Sequence, residues 1–256
     1  DTSQGYSDFQ KETIGFTKRE TDSPVVGGNI VTAEGFDFLV KECGADAVKV
    51  GMGVGAGCIT QGVLGVARKQ ATAIQDVARA RDRYAIRGVY VPIISDGGVK
   101  TFSDIPKAHA FGADIIMVGR LIAGSPETPN PVHQVRFLRN GTVDYEGDAK
   151  EFWYEASNRA RQLAEGPIRD YSRRYQEGIE GWVRVTAPMV EFLDAGYLRV
   201  RDAIRKAGCN GIEELRKKTR LELANRTVDP EDPDIAIWDS KHVKVLVNSG
   251  WVSSES

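Results

Sequence analysis

The chain has 256 residues, and its 34 Lys and Arg against 36 Asp and Glu give a formal net charge of −2. That balance gives no polyelectrolyte signal for nucleic acid or an anionic membrane, whereas a phosphorylated small molecule needs only a few local donors. No run of about 18 apolar residues occurs, so no segment reads as a membrane span.

The start, Asp1-Thr2-Ser3-Gln4-Gly5, has no initiator Met and none of the features of a signal peptide. It reads as the loop after a strand, in a fragment of a longer protein. Four short apolar runs rich in β-branched residues then read as buried strands: Pro24–Gly28, Ala47–Val50, Tyr90–Ser95 and Ile115–Gly119. Helices are predicted between them. Ala33–Glu42 follows Thr32 as N-cap, Ala71–Tyr84 repeats apolar residues at Ile74, Val77 and Ala78, and Ser103–Phe111 stops at Gly112. Strands alternating with helices make parallel βα units. The expectation is the second half of a (β/α)8 barrel, with loops at Gly28-Asn29, Gly51–Thr60, Asp96–Gly98 and Gly119-Arg120 on its functional face. An open parallel sheet is the alternative.

After Ser125 the pattern breaks at Pro126, Pro129 and Pro131. His133–Asp144 reads as a hairpin with Asn140-Gly141 at its turn. Glu151–Glu165 and Ile168–Gln176 are charged and weakly amphipathic, so the stretch reads as a long insertion forming a mobile flap. Met189–Ala207 and Ile212–Thr219 read as helices, Asp229–Pro233 as a polar turn, and the tail from Ile235 as holding a final strand. The implied division is 1–125 (second half of the barrel), 126–182 (flap and hairpin) and 183–256 (C-terminal helices and tail).

The three cysteines, Cys43, Cys58 and Cys209, form no disulfide framework and fit a reducing, cytoplasmic setting. Cys43 and Cys209 read as packed thiols. His109, His133 and His242 have no ligand spacing, so zinc is not expected. Trp153 and Trp182 read as core. Cys58 differs. It ends a loop with glycines at alternate positions, Gly51, Gly53, Gly55 and Gly57, directly after a strand. Such a loop brings backbone close to a ligand and can offer N–H groups to a phosphate or carbonyls to a cation. A cysteine there is placed as a nucleophile.

The surrounding segments make the pattern specific. Cys58-Ile59-Thr60, Gln70-Ala71-Thr72-Ala73, Ser95-Asp96-Gly97-Gly98 and Gly112-Ala-Asp-Ile-Ile-Met-Val-Gly119-Arg120 follow in order. With Asp1–Ser7, Gly27–Thr32, Glu177–Gly181 and Ala207–Leu215, this order resembles the IMP dehydrogenase / GMP reductase family across nearly the whole chain. Residues 126–176 are the loosest part; there Lys150–Trp153 and Ser157–Arg161 resemble most its divergent protozoal form.

The resemblance implies a (β/α)8 barrel whose first half is absent here and must come from the same or another chain. It implies NAD-dependent oxidation of IMP to XMP, the guanine-nucleotide branch step of purine biosynthesis, through a covalent purine adduct on Cys58. A GMP reductase or related oxidoreductase, or a non-catalytic nucleotide-binding paralogue, is the alternative. IMP and NAD are the implied ligands, K⁺ the implied ion, and a homotetramer the implied assembly, with no nucleic acid or membrane partner.

By the same resemblance Thr60 lies near the reacting carbon and Arg174-Tyr175 is the candidate base pair of the flap. A second alignment puts Glu165-Gly166 there instead. Asp96 accepts the ribose hydroxyls, Gly98 and Gly119 offer N–H groups to the 5′-phosphate, and Glu177 contacts the purine. Glu155 and Ser157 lie in the loop that meets hypoxanthine, where Tyr154-Glu155-Ala156-Ser157 replaces Gly-Met-Gly-Ser. Ala56 replaces a phosphate-binding Ser, and Arg120, also in place of a Ser, is expected to offset it. Asp1, Ser3 and Asn29 match positions around the nicotinamide, and Gly53, Gly55 and Cys58 match positions whose carbonyls hold a monovalent cation.

Overall fold

The computed structural model describes residues 2, 4–139, 142–165, 176–221, 237–239, 243–247 and 250–253. The chain divides into two compact units: Asp1–Ala56 with Val66–Val118 and Leu198–Ala224, and Gly57–Gly65 with Gly119–Tyr197 and Asn225–Ser256. Among the described residues no helix is long and apolar enough to cross a membrane.

The first unit opens with α1 (Asp8–Glu20), β1 (Val26–Ile30), α2 (Ala33–Lys41) and β2 (Ala47–Val50). The short α3 (Thr60–Leu64) belongs to the second unit. Then come α4 (Gln70–Ala85), β3 (Ile93–Asp96), α5 (Asp104–Phe111) and β4 (Ile115–Met117). The strands form one parallel sheet in the order β1-β2-β3-β4, as consecutive βα units dictate. Val48, Val50 and Ile93 pack against Phe36 and Leu39 of α2 and Ala73 and Val77 of α4 in one core. Two predicted strands start late. Pro92 has no N–H to give a ladder, so β3 begins at Ile93, and after Pro24 the Val25 N–H is taken by the Asp46 carboxylate at 2.7 Å, so β1 begins at Val26. The predicted N-cap is in place, with the Thr32 hydroxyl accepting from the Gly35 N–H at 3.1 Å. Helix α1 is not legible as an apolar stripe. It buries Ile14 and the polar Gln10, whose Oε1 accepts from the Gly28 N–H at 3.1 Å.

Asp114, just before β4, ties this unit together. Its carboxylate accepts from Arg81 of α4 at 2.9 Å, from the Tyr90 hydroxyl at 2.6 Å and from the Ile93 N–H at 2.8 Å. It also pairs at 2.9 Å with Arg216 of α8 (Ile212–Lys218). Burial alone pushes the Asp114 carboxyl up, but Tyr90, the Ile93 N–H and the charges of Arg81 and Arg216 outweigh it and hold the group below the usual carboxylate range. Beside it His109 is buried, and its Nδ1 donates to the Ala113 carbonyl at 2.8 Å. Burial, with the charge of Arg216, holds the imidazole below its ordinary value.

Both shifts stabilise the fold on the alkaline side. A histidine with a lowered native pKa takes its proton first in the unfolded chain. Its contribution is therefore complete above about pH 6.5 and lost as pH falls below that value. Asp114 acts likewise below about pH 4. Thermal unfolding should show Tm falling between about pH 7 and pH 5, and His109→Gln should flatten that part of the profile. A wild-type Tm that rises on acidification would contradict the assignment.

The second unit is built on an antiparallel sheet. Its strands are β5 (Val132–Arg139), β6 (Thr142–Trp153), β7 (Glu180–Arg184), β8 (Ile237–Asp239), β9 (Val243–Val247) and β10 (Gly250–Ser253), in the order β10-β9-β5-β6-β7-β8. The sequence foretold one hairpin here and one tail strand. The hairpin is present and longer, since β6 continues to Trp153. Its exposed Asp144, Glu146 and Asp148 alternate with the more covered Tyr145, Gly147 and Ala149, a period of two obscured by the density of charge. Trp182 of β7 joins Val135, Phe137 and Ala149 in the core of this sheet. The predicted turn Asn140-Gly141 and Asp229–Pro233 lie outside the described residues. Helix α6 (Asn158–Glu165) follows β6, and α7 (Met189–Lys206) starts in this unit.

Lys150 of β6 is buried, and its ammonium donates to the carbonyls of Ser125 (2.9 Å), Pro126 (3.0 Å) and Thr128 (2.7 Å) and to the Thr128 hydroxyl (2.9 Å). The loop so held carries Glu127, whose carboxylate accepts from the Met189 N–H at 2.9 Å at the start of α7. Lys150→Met keeps the stem but strips these oxygens of their donor. It should lower unfolding stability by roughly 2–4 kcal/mol in a denaturant titration; a loss within experimental error would show that the clamp is dispensable.

Candidate active site

Backbone hydrogen bonds set the Cys58 loop. The Ile59 N–H donates to the Glu177 carbonyl at 2.8 Å, and the Ile179 N–H donates to the Gly57 carbonyl at 2.9 Å. Cys58 and Gly178 thus form an isolated antiparallel bridge. The Tyr154 N–H donates to the Ile179 carbonyl at 3.1 Å, and the Glu177 and Gly178 N–H groups both reach the Ala156 carbonyl at 3.2 Å. Three stretches remote in sequence are stitched together around one cysteine.

The side chains follow from that register. Cys58 Sγ lies 3.1 Å from the Thr60 hydroxyl, and that hydroxyl donates to Glu177 Oε2 at 2.9 Å. A threonine hydroxyl has one hydrogen. With it given to Glu177, the oxygen is left to accept, so the neutral thiol donates to Thr60. The row S–H, O–H, carboxylate is a path for a proton from sulfur to Glu177.

Gly57 has no room for a side chain. A Cβ there would lie 2.0 Å from Cε2 of Tyr154 and 2.8 Å from Ile179. Tyr154 fills the place that the family resemblance gives to a glycine. Ser157 is fully buried and its hydroxyl accepts from the Ala160 N–H at 3.1 Å, so it caps α6. Glu155 is exposed. Gly119 precedes a 3-10 turn, Arg120–Ile122, and Arg120 is buried.

In the first unit another cluster sits at the C-terminal ends of β1, β2 and β3. The Asn29 amide donates to the Gly51 carbonyl at 2.7 Å and to Asp96 Oδ2 at 3.0 Å. Lys49 pairs with the same oxygen at 3.1 Å. Gln70, the first residue of α4, donates to the Val50 carbonyl at 2.8 Å and to the buried Ser95 hydroxyl at 3.0 Å. Gly51 must be glycine: its φ is +151°, and a Cβ would lie 1.9 Å from the Asp96 carbonyl oxygen. Among the described residues, Asn29 Oδ1 and Gln70 Oε1 are buried without a hydrogen-bond partner.

The Gly98 N–H expected to meet a phosphate donates instead to the Val54 carbonyl at 3.0 Å, because Gly97 and Gly98, both at positive φ, fold the loop back onto residue 54. Ala56, Gly53 and Gly55 belong to the first unit and Cys58 to the second. Gly53 also packs closely, a Cβ there falling 2.5 Å from that of Ala67. Asp1, Ser3, Arg174 and Tyr175 lie outside the described residues. Lys49 and Gln70 were not singled out in the sequence as site residues. The available signal was a lone charge inside the strand Ala47-Val48-Lys49-Val50, between two valines that are fully buried.

A family model of the IMP dehydrogenase / GMP reductase domain matches residues 1–231. The chain belongs to the IMP dehydrogenase / GMP reductase family. Inosine-5′-monophosphate dehydrogenase of Tritrichomonas foetus is 35% identical over 229 residues, 88% of this chain and 44% of that protein. The Escherichia coli K12 enzyme of the same name is 33% identical over 233 residues, 86% of this chain and 43% of its own. GMP reductase of Leishmania donovani is 33% identical over 202 residues, 77% of this chain and 38% of its length. Among solved structures, a cysteine-to-alanine GMP reductase of Trypanosoma brucei in complex with guanosine 5′-monophosphate gives a TM-score of 0.70 at 30% identity, covering 86% of this chain and 43% of that one. The chain thus spans less than half the length of these relatives, all named as oxidoreductases of this family.

The Gly57 packing gives a direct check. Gly57→Ala should push the loop off Tyr154 and slow alkylation of Cys58 by iodoacetamide relative to wild type, and Gly57→Ala combined with Tyr154→Gly should restore it. Equal rates in all three proteins would mean that Tyr154 does not set the loop.

Proposed function

We propose that the chain carries the nucleophile and proton relay of an NAD-dependent dehydrogenase oxidising IMP to XMP. The observation that carries this reading is the hydrogen-bonded row Cys58, Thr60, Glu177. IMP dehydrogenases among the relatives covering most of this chain support the dehydrogenase over the reductase.

In this reading Cys58 Sγ bonds to C2 of the purine. Its proton passes to Thr60 Oγ1 while the Thr60 proton passes to Glu177, so no free charge is left on sulfur beforehand. NAD⁺, when bound, accepts the hydride that leaves C2. Glu177 then gives its proton up to solvent. Water adds across C2 and N3, its oxygen to C2 and one proton to N3, and as the C2–S bond breaks the remaining hydroxyl proton passes through Glu177 and Thr60 to sulfur, which releases XMP and the Cys58 thiol. The sum is IMP, NAD⁺ and water giving XMP, NADH and a proton. Asp96 accepts from the ribose hydroxyls, and Gly119 with Arg120 serves the phosphate. The buried, unpartnered Asn29 Oδ1 fits an amide N–H donor such as the carboxamide of nicotinamide. For K⁺, the alternate glycines Gly53 and Gly55 offer carbonyl oxygens, the donor type that suits that ion. We read the four sequential parallel strands as half of a (β/α)8 barrel, which relatives of twice the length support.

GMP reductase is the second reading, favoured by the Leishmania relative and the Trypanosoma structure. The test is NADH absorbance with IMP and NAD⁺ on the full-length protein. Cys58→Ala should abolish turnover, and Glu177→Gln should lower kcat by roughly 10²-fold with KM for IMP less affected. Oxidation of NADPH by GMP, with no NADH formed from IMP, would replace the dehydrogenase by the reductase. Full activity of Glu177→Gln would remove the relay.

A further inference from the structure

We infer that Lys49 is a positioning residue that sets the preference for a ribonucleotide over a deoxyribonucleotide; this rests on the reading of Asp96 as the ribose acceptor. In β2, Val48 and Val50 are fully buried against α2 and α4. Side chains alternate along a strand, so Lys49 stands on the other face of the sheet. Its side chain is only 11% exposed, and its ammonium meets Asp96 Oδ2 at 3.1 Å. The Asn29 amide meets that same oxygen at 3.0 Å, and its second hydrogen is tied to the Gly51 carbonyl at 2.7 Å. Two donors on one oxygen fix the plane of the carboxylate and turn Oδ1 away from them. An oxygen held so, with two lone pairs, is prepared to accept from the paired hydroxyls of a ribose.

The placement is not explained by stability. An ion pair withdrawn from water gains little over an apolar pair of the same volume. What Lys49 adds is a fixed direction for Asp96, which is useful only to something that Asp96 must recognise. The ligand feature is a vicinal diol, so discrimination against a 2′-deoxy sugar should depend on Lys49 even though no contact between Lys49 and the sugar is invoked.

The test compares IMP with 2′-deoxy-IMP in the full-length enzyme, in wild type, Lys49→Met and Lys49→Arg, by steady-state kinetics and by calorimetric Kd. Wild type should favour IMP by roughly 10–100-fold in kcat/KM, the value of a charge-assisted hydrogen bond. Lys49→Met should bring the two nucleotides within a few-fold of each other, mainly by raising KM and Kd for IMP, and Lys49→Arg should recover part of the difference. Unchanged discrimination in Lys49→Met would overturn the inference, as would equal losses for both nucleotides or no recovery with arginine, which mark a merely structural role. If wild type turns over GMP and not IMP, the same comparison with GMP and 2′-deoxy-GMP decides it on the same criteria. Binding of neither nucleotide by wild type would reject the underlying reading and this inference with it.

Discussion

The side chains around Cys58 are arranged by a single hydroxyl hydrogen. Thr60 has one proton, and Glu177 holds it at 2.9 Å. That bond decides the direction of the next, turning the thiol 3.1 Å away into a donor. It also makes the backbone around it matter. Thr60 meets Glu177 only because Ile59 and Ile179 pair with residues 177 and 57, and because Gly57 leaves room for Tyr154. A cysteine on a glycine-rich loop would otherwise lose its orientation to loop entropy. Here a short stretch of sheet pairing supplies the rigidity that loops lack.

The two units use buried polar groups in the same manner. Asp114 gathers α4, α8 and the starts of two strands on one carboxylate. Lys150 gathers a loop of carbonyls on one ammonium. Asp96 receives Lys49 and Asn29 on one oxygen. Each is a buried or half-buried charge surrounded by donors or acceptors of the opposite kind, and the more deeply buried it is, the more the loss of one partner costs. The first two hold architecture. The third stands at the strand ends, where parallel α/β sheets place their ligands.

Legibility in the sequence followed the physics of each segment. The βα alternation of residues 24–119 was readable because each strand is a short apolar run, and because Thr32 and Gly112 mark the start of α2 and the end of α5. Its errors fell at strand ends, with β1 running on to Ile30 and β4 stopping at Met117, at Pro92, where the missing N–H delays the ladder, and at the short α3, which has no apolar stripe. Helix α1 escaped because it buries one isoleucine and one glutamine. The antiparallel sheet was under-read because its longest strand, β6, carries charge at Asp144, Glu146, Asp148 and Lys150, which masks the alternation, and because several of its strands pair across long sequence separations. Cys58, Thr60 and Asp96 stand out in the sequence as chemistry-bearing residue types at or just after strand ends. That Glu177 would reach Thr60 rested on a pairing across more than a hundred residues, and Lys49 looked like an interruption in an apolar run. Asp1, Ser3, Arg174 and Tyr175 fall outside the described residues.

The central claim is a covalent bond between Cys58 and the purine, and the most direct measurement of it is mass spectrometry of the full-length protein acid-quenched during turnover with IMP and NAD⁺. The account predicts a protein species heavier by one purine nucleotide, mapped by peptide digestion to the segment containing Cys58 and absent when NAD⁺ is withheld. No adduct during demonstrated turnover, or one mapped to Cys43 or Cys209, would contradict it.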